Sequence, residues 1–600
     1  MKTDRTSTCP DGKECNEDGR SPLWMEQAEG VPDPMNDRMA ASTVVDAGEE
    51  IAPTKIERDA TRGAFVENWL GDHLGAIAFT LVAAAFAVRI FAATRSYLNP
   101  DEALHYLLFH QSSLWSAYRA SLTNAHPPLI YLILYYWRFL GTSELMLRMP
   151  SVIAGTAFCW VLYKWIGNIF GRAAGLVALI LAAFSPALVA LAAEVRAYAV
   201  LLFCIACALY FLIRAFEENS VRRMWAFSAF LYLAILSHYS TVFFALAVGI
   251  YSLAKIVDSK PPRRFIAAWV FGQLGALAIY GFLYVTHVSK IRNSVAVWAM
   301  PFGTAYFHSD TGNIFTFTGQ STFNVFLFQF GQAYIAAAML LFFIAGVAIL
   351  FGRDLLSQEK SQTSRLGILI SFPFIAVWGG ALAGIYPYVG SRHTVFLAPF
   401  AIAGASYFLA TMSAQKLWAA ASVATLLVTL SNVLDRPVGE EVTRGDSSPA
   451  AMSAAINYMR QAIPQGDRIL VDFQSSLPIA FYYCGPKKIL PMDTFQGEHF
   501  EFTCNGNPIT SFHMWKVLGK TFPDFFQQMA RSHNLKPGDR VWVFQSGWGV
   551  NLNRGLDRNL ARFRCLAPNN FGDAITVIPF VVDGNDLPAT PVQSCQNPPD

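Results

Sequence analysis

The chain has 600 residues, of which 54% are apolar and only 14% charged, and its formal charge of +3 is close to neutral for that length. Length by itself suggests several soluble domains, but the apolar excess, with 48 Phe, sets that prior aside. The near-neutral charge, with no basic arm or aromatic-basic stripe, excludes a nucleic-acid-binding role.

Residues 1–70 are polar, rich in Asp, Glu, Pro, Gly and Met, and carry no sustained periodicity. They read as a disordered cytoplasmic tail, not as a cleaved signal, because no short apolar core follows a basic start. From about residue 73 to about 432 long uncharged stretches recur. A helix crosses a bilayer with roughly 20 mainly apolar residues, since the hydrocarbon core is about 30 Å thick. We read spans near 73–93, 148–166, 173–192, 197–214, 224–237, 241–257, 265–287, 323–351, 366–385, 394–411 and 417–432. The expected class is therefore a polytopic α-helical membrane protein with about 11 or more spans, the membrane domain covering 71–432.

Loop charges orient it. Arg58 and Arg62 precede the first span; Lys164 and Arg172, then Arg214, Arg222 and Arg223, then Lys255, Lys260, Arg263 and Arg264, then Arg353, Lys360 and Arg365, and finally Lys416 occupy later turns. All fall on one side, the cytoplasmic one by the positive-inside rule, provided 127–141 does not cross. Pro127–Leu140 is short for a span and opens on Pro-Pro, so it reads as a helix lying in the interface or dipping in and out. The long first loop, 95–147, then lies outside, although it carries Arg95, Arg119 and Arg138, with Arg148 just beyond.

The unusual polar residues collect on that outer side. In the first loop Pro100 fits the opening position of a helix, and Asp101 and Glu102 follow in its first turn, where the macrodipole favours negative charge. His105 lies four residues on, facing the same way as Asp101. Further along come Asn124 and His126, then Glu194, Arg196 and Tyr198 after Ser185-Pro186. His238, Lys290, Arg292, Tyr388, Arg392 and His393 complete the set. Each has a plainer reading: a helix-capping acid pair, a structural Glu194–Arg196 ion pair, an interfacial His238, a snorkelling Arg392. Taken together, acids, histidines and arginines gathered on one membrane face point to an active site. Arg and Lys could hold a phosphate, a carboxylate could take a proton from an attacking hydroxyl, and a carboxylate with a histidine could hold a divalent ion.

These residues carry a resemblance. Pro100-Asp101-Glu102, His126-Pro127-Pro128-Leu129, Ser143-Glu144 and Leu147-Arg148-Met149-Pro150-Ser151 occur in the order seen in polytopic GT-C glycosyltransferases, in the branch of protein O-mannosyltransferases and the lipid A aminoarabinose transferase. Phe170-Gly171-Arg172-Ala173-Ala174-Gly175, Ser185-Pro186, Glu194-Val195-Arg196-Ala197-Tyr198-Ala199 and Arg392-His393 with Pro399 continue it over roughly 75–435. The resemblance implies an enzyme that transfers a sugar from a polyprenyl monophosphate donor to a lipid, glycan or protein acceptor outside the cytoplasm. It implies residence in a bacterial inner (plasma) membrane, with the site periplasmic. By the same resemblance Asp101 is the catalytic base and Glu102 the second choice. The cavity is lined by Glu194, Arg196 and His238, and Arg392 is a phosphate ligand, with Lys290 and Arg292 weaker ones. Relatives often carry an acid just before the His-Pro-Pro motif, at times a metal ligand; here Ala125 stands there, which weakens the case for a divalent metal. The competing classes are a transporter or flippase of a lipid-linked sugar, which would show repeats and midplane charges, and an envelope scaffold.

After about residue 433 the texture becomes that of a soluble α/β domain, expected on the extracytoplasmic side over 433–600. Asp467–Asp472 and Asp539–Phe544 each read as a turn entering a buried strand, with helices over 449–462 and 522–533. Cys484, Cys504, Cys565 and Cys595 would allow two disulfides in an oxidising compartment, with three possible pairings. No nucleophile elbow, P-loop or zinc spacing is present here.

Overall fold

A computed structural model of the chain describes residues 55–292, 305–310, 312–356, 363–433, 448–495, 499–512, 529–546, 563–572 and 575–582. The chain divides into the units Met1–Thr61 and Arg62–Asp600; of the first, only the helical turns from Lys55 are described. Helix Lys55–Ala93 begins well before residue 70, so the polar tail is shorter than expected.

Every stretch read as a span is helical, with some departures. Among the described residues eight helices are long and apolar enough to cross a membrane, and a ninth span is possible if a bent pair is counted as one. Helices Val221–Ser237 and Leu417–Val433, at 17 residues each, sit at the lower length limit for crossing. The stretch 323–351 is not one helix: Ile314–Phe330 ends at Gly331, whose φ of 78° breaks the run before Ala333–Leu356. Helix Leu129–Trp137 continues as a 3-10 turn to Leu140 and would rise about 20 Å in all, still well short of the hydrocarbon thickness. That length agrees with its reading as a non-crossing helix.

The bent pair shows how sequence builds an irregular span. Arg172–Phe184 and Pro186–Ala192 meet at 58°. Pro186 has no N–H, so the Ala182 carbonyl four residues earlier loses its helical partner. Arg89 supplies one. Fully buried, its guanidinium donates to Ala182 O at 3.1 Å and to Ala183 O at 2.9 Å. Asn432 takes the next carbonyl, Phe184 O, at 3.0 Å. A buried cation with no acid partner among the described residues is thus accounted for by the negative end of a broken helix.

A glycine pair makes one helix crossing very close. A Cβ on Gly346 would lie 2.1 Å from Gly404 O, so Ala333–Leu356 and Ala398–Met412 touch backbone to backbone there.

The C-terminal part is a mixed sheet with seven strands among the described residues. They are β1 Arg468–Asp472, β2 His499–Cys504, β3 Asn507–Phe512, β4 Arg540–Gln545, β5 Phe563–Cys565, β6 Asn569–Phe571 and β7 Ile575–Val582. The order is β2-β3-β1-β4-β7-β5, with β6 also on β7. β1 runs parallel to β3 and to β4, and the outer pairs are antiparallel. The Ile-Leu-Val run of β1 and the Val-Trp-Val-Phe run of β4 are buried, as strands covered on both faces require. The two expected strands and the expected helix 449–462, found as Pro449–Ala462, are present. Most of 522–533 lies outside the described residues. Cys484 and Cys504 form a disulfide, one of the pairs the three pairings contain; the side chains of Cys565 and Cys595 lie outside the described residues.

Candidate functional site

The first-loop helix is Pro100–Phe109. Asn99 caps it: its side chain accepts from Glu102 N at 2.9 Å, and the Glu102 carboxylate accepts from Asn99 N at 3.0 Å. This reciprocal cap is what an Asn followed three residues later by Glu encodes. It fixes where Asp101 points.

Asp101 and Glu102 are adjacent and have different fates. Asp101 Oδ2 meets Arg196 at 2.6 Å and Arg392 at 3.2 Å, and its side chain remains 38% exposed. Arg196 also reaches Glu194 at 3.2 Å, so two acids share one buried cation. Partial loss of water raises the Asp101 pKa, but Arg196 and then Arg392 outweigh this and hold it below the usual carboxylate range.

Glu102, expected as the second choice of base, is fully buried. Oε1 accepts from Arg148 Nε at 2.8 Å and from Val195 N at 2.9 Å. Oε2 accepts from Arg148 at 2.6 Å as well as from Asn99 N. Four donors on two oxygens leave no lone pair facing an acceptor substrate. The geometry therefore corrects that expectation: Glu102 is built into the scaffold.

Behind Asp101 runs a file of histidine rings. His105 and His126 have centroids 5.8 Å apart, His126 and His238 5.3 Å, and His238 and His393 6.4 Å. Tyr198 lies against both His126 and His238, and Tyr131 stacks on His105. Their bonding assigns the tautomers. His105 Nδ1 donates to the Asp101 carbonyl at 2.6 Å, which leaves a lone pair on Nε2. His238 Nδ1 accepts from Ser240 N at 3.2 Å, so in the neutral ring its proton is on Nε2. Burial first, then Arg196, lowers His105 to about 4. Burial, then Arg392, lowers His238 to about 4 as well. His126 is pushed well below its ordinary value by burial and by the rings of His238 and His105. The file is neutral at pH 7.

The loop that brings His126 into this file is clamped by His287 and Tyr131, which the sequence did not single out. His287 Nε2 donates to Asn124 O at 2.6 Å, and Tyr239 donates to His287 Nδ1. The Asn124 side chain donates to the Tyr131 hydroxyl at 3.0 Å. Ser151 holds the Arg196 carbonyl at 3.1 Å.

Of the thirteen expected site residues, Asp101, His105, His126, Glu194, Arg196, Tyr198, His238, Arg392 and His393 come together. Tyr388 does not join them. Its hydroxyl pairs with Thr322 at 2.9 Å, against helix Ile314–Phe330, while Tyr386 reaches the His393 carbonyl at 2.9 Å. Lys290 is exposed in the short turn Ser289–Arg292, on the rim near His287; the Arg292 side chain lies outside the described residues. Among the described residues no three His, Cys, Asp or Glu side chains are placed to share a metal ion, so the divalent ion that the residue types could hold finds no complete ligand set here. The residues that converge come from helix ends and connections: a first turn, the 193–197 bend, a C-cap, the start of a 3-10 turn. Arg148 was the main omission, since its role depends on a partner 46 residues away.

Residues 125–285 match the family model described as dolichyl-phosphate-mannose-protein mannosyltransferase, a stretch containing His126, Glu194, Arg196, Tyr198 and His238. The resemblance to GT-C glycosyltransferases read from the motifs is thus met by a family model as well. No curated protein matches the chain. Among solved structures, ArnT from Cupriavidus metallidurans bound to undecaprenyl phosphate is similar at 14% identity and a TM-score of 0.49, over 84% of this chain and 97% of that one. The archaeal oligosaccharyltransferase AglB from Archaeoglobus fulgidus, in complex with an inhibitory peptide and a dolichol-phosphate, is similar at 12% identity and a TM-score of 0.42, over 79% and 70%.

Proposed function

We propose that the chain transfers a glycosyl group from a polyprenyl monophosphate carrier to a hydroxyl of a lipid, glycan or protein acceptor, at the extracytoplasmic face of a bacterial inner membrane. The observation that carries this reading is the single Asp101 carboxylate, partly exposed and held by both Arg196 and Arg392. An acid that can take a proton stands beside guanidinium groups that can hold a phosphate. The family match over 125–285 supports the same chemistry.

In this reading the acceptor oxygen attacks the anomeric carbon and the bond from that carbon to the phosphate oxygen breaks. The bonding pair leaves with the polyprenyl phosphate, and the hydroxyl proton passes to Asp101. Paired with two arginines, Asp101 is a weak base. The phosphate corrects this. Its oxygens compete for Arg392, whose contact with Asp101 is the longer one at 3.2 Å against 2.6 Å for Arg196. Withdrawing that cation raises the basicity of Asp101 when the donor is in place. Glu102 and Arg148 hold the helix, and the neutral histidines wall the site without adding charge to it.

Mannose to protein, or aminoarabinose or a uronic acid to lipopolysaccharide, fit equally. Mass analysis of envelope glycolipids and glycoproteins from a deletion strain, complemented by wild type or by Asp101→Asn, tests the reading. We expect one sugar adduct to vanish on deletion, to return with wild type and to stay absent with the variant. An unchanged envelope after deletion refutes it.

A further inference from the structure

By sequence the C-terminal domain could either shape acceptor binding or brace the membrane part. The contacts favour a brace, and they converge on one side chain. Helix Phe473–Tyr482 follows β1, and its last residue, Tyr482, reaches the first loop. Its hydroxyl accepts the Leu98 N–H at 2.8 Å and donates to Glu144 at the start of helix Glu144–Phe170.

Leu98 immediately precedes the Asn99 cap, so this bond fixes the chain one residue before the cap of the helix that carries Asp101. From the opposite side Arg148 holds the carbonyls of Ala93 and Ser96 at 2.7 Å each and of Tyr97 at 3.1 Å. The segment 93–99 is therefore gripped by a cation from the helix bundle and a phenol from the sheet domain. The domain continues along the same helix. Tyr106 donates to Pro486 O at 3.1 Å and Gln111 to Leu490 O at 3.2 Å. The strip 482–490 that makes these contacts is stapled to β2 by Cys484–Cys504.

We propose that Tyr482 is a positioning residue for Asp101, acting through the Leu98 amide, and that the Cys484–Cys504 disulfide holds the strip that presents it. The catalytic part of this inference rests on Asp101 as the proton acceptor; the mechanical part does not. A hydroxyl that both accepts from a backbone amide and donates to a carboxylate cannot be replaced by a ring alone. Tyr482→Phe keeps the packing against Phe481 and Tyr97 and removes only the two bonds.

The test uses the full chain in detergent and two readouts. The first is amide hydrogen exchange, which measures local opening directly. In Tyr482→Phe, peptides covering 94–109 should exchange at least about tenfold faster, while β1 and β4 stay as protected as in wild type. Glu144→Gln, which keeps an acceptor for the phenol, should retain protection. Cys484→Ser with Cys504→Ser should loosen the same peptides by a smaller factor. The second readout is release of polyprenyl phosphate from a polyprenyl-phosphate-linked sugar. Here kcat should fall about tenfold with KM for the donor within twofold of wild type, because the phosphate ligands are untouched. Unchanged exchange over 94–109, or a loss confined to KM, overturns the proposal. Faster exchange in the variant combined with a wild type inert toward the donor supports the brace and sinks the sugar-transfer reading instead.

Discussion

Asp101 and Glu102, neighbours in one helical turn, are claimed by different arginines: Asp101 by Arg196 and Arg392 at a partly open site, Glu102 by Arg148 in the interior. Two acids of the same type, one residue apart, are thereby separated into a candidate reactive group and a structural one. The division makes distinct predictions for each.

Breaking the interior pair should damage the fold. Arg148→Met leaves Glu102 charged, buried and short of two bonds, at a cost of about 3–5 kcal/mol. The double variant Glu102→Met with Arg148→Met should be less harmful than the two losses added. Thermal melting of the detergent-solubilised protein decides this, and equal melting temperatures for Arg148→Met and wild type would contradict the assignment.

The open pair should behave in the opposite way. Asp101→Asn should fold and insert normally, yet lose about 10²–10⁴-fold in turnover, the range for a removed general base. Arg392→Ala should mainly raise the donor KM, with Arg392→Lys intermediate because an ammonium cannot bind a phosphate by two parallel bonds. Steady-state kinetics with a polyprenyl-phosphate-linked sugar separates the two effects.

The histidine file predicts a pH dependence of stability. His105 and His238 titrate near 4 in the fold against 6.5 when free, and His126 is displaced the same way. A group whose folded pKa is lowered contributes stability that is present above its free pKa and lost as pH falls through the folded value. Melting temperature should therefore be flat above about pH 7 and fall between 6.5 and 4. His105 and His238 each carry roughly 3 kcal/mol. Asp472 in the sheet domain works against this: burial raises it to about 6, so its contribution is full below 3.8 and disappears as pH rises through 6. The two histidines that titrate near 4 already outweigh one acid, and His238→Gln should flatten the acid limb. A variant with the wild-type slope would count against the buried neutral file.

The close crossings predict intolerance of small additions. Gly346→Leu would drive a side chain into the Gly404 backbone. Separating these helices should cost about 1–3 kcal/mol or more. Gly352, with open space around its Cβ position, should accept Ala with little effect. Parallel melting curves of the two variants would check the contrast.

What the sequence determined by itself was whatever depends on local physics. A run of apolar residues must hide its backbone polar groups in a helix to enter a bilayer, so the helical stretches could be read one at a time. The helix opening at Pro100, with Asp101 and Glu102 in its first turn, is likewise a statement about a few neighbouring residues. The convergence of polar residues on one face followed from the same reading, because the ends of spans are the cheap places for charge.

The tertiary structure decided which partner each charge finds. Arg196 meets Asp101 across 95 residues and Arg148 meets Glu102 across 46, while Tyr482 meets Leu98 across 384. No local pattern encodes such pairings. A buried carboxylate is tolerable only where donors from several elements arrive together, and that is fixed by how the helices and the sheet pack. For this reason the sequence could present Asp101 and Glu102 as near-equals, and only the packed chain could tell them apart.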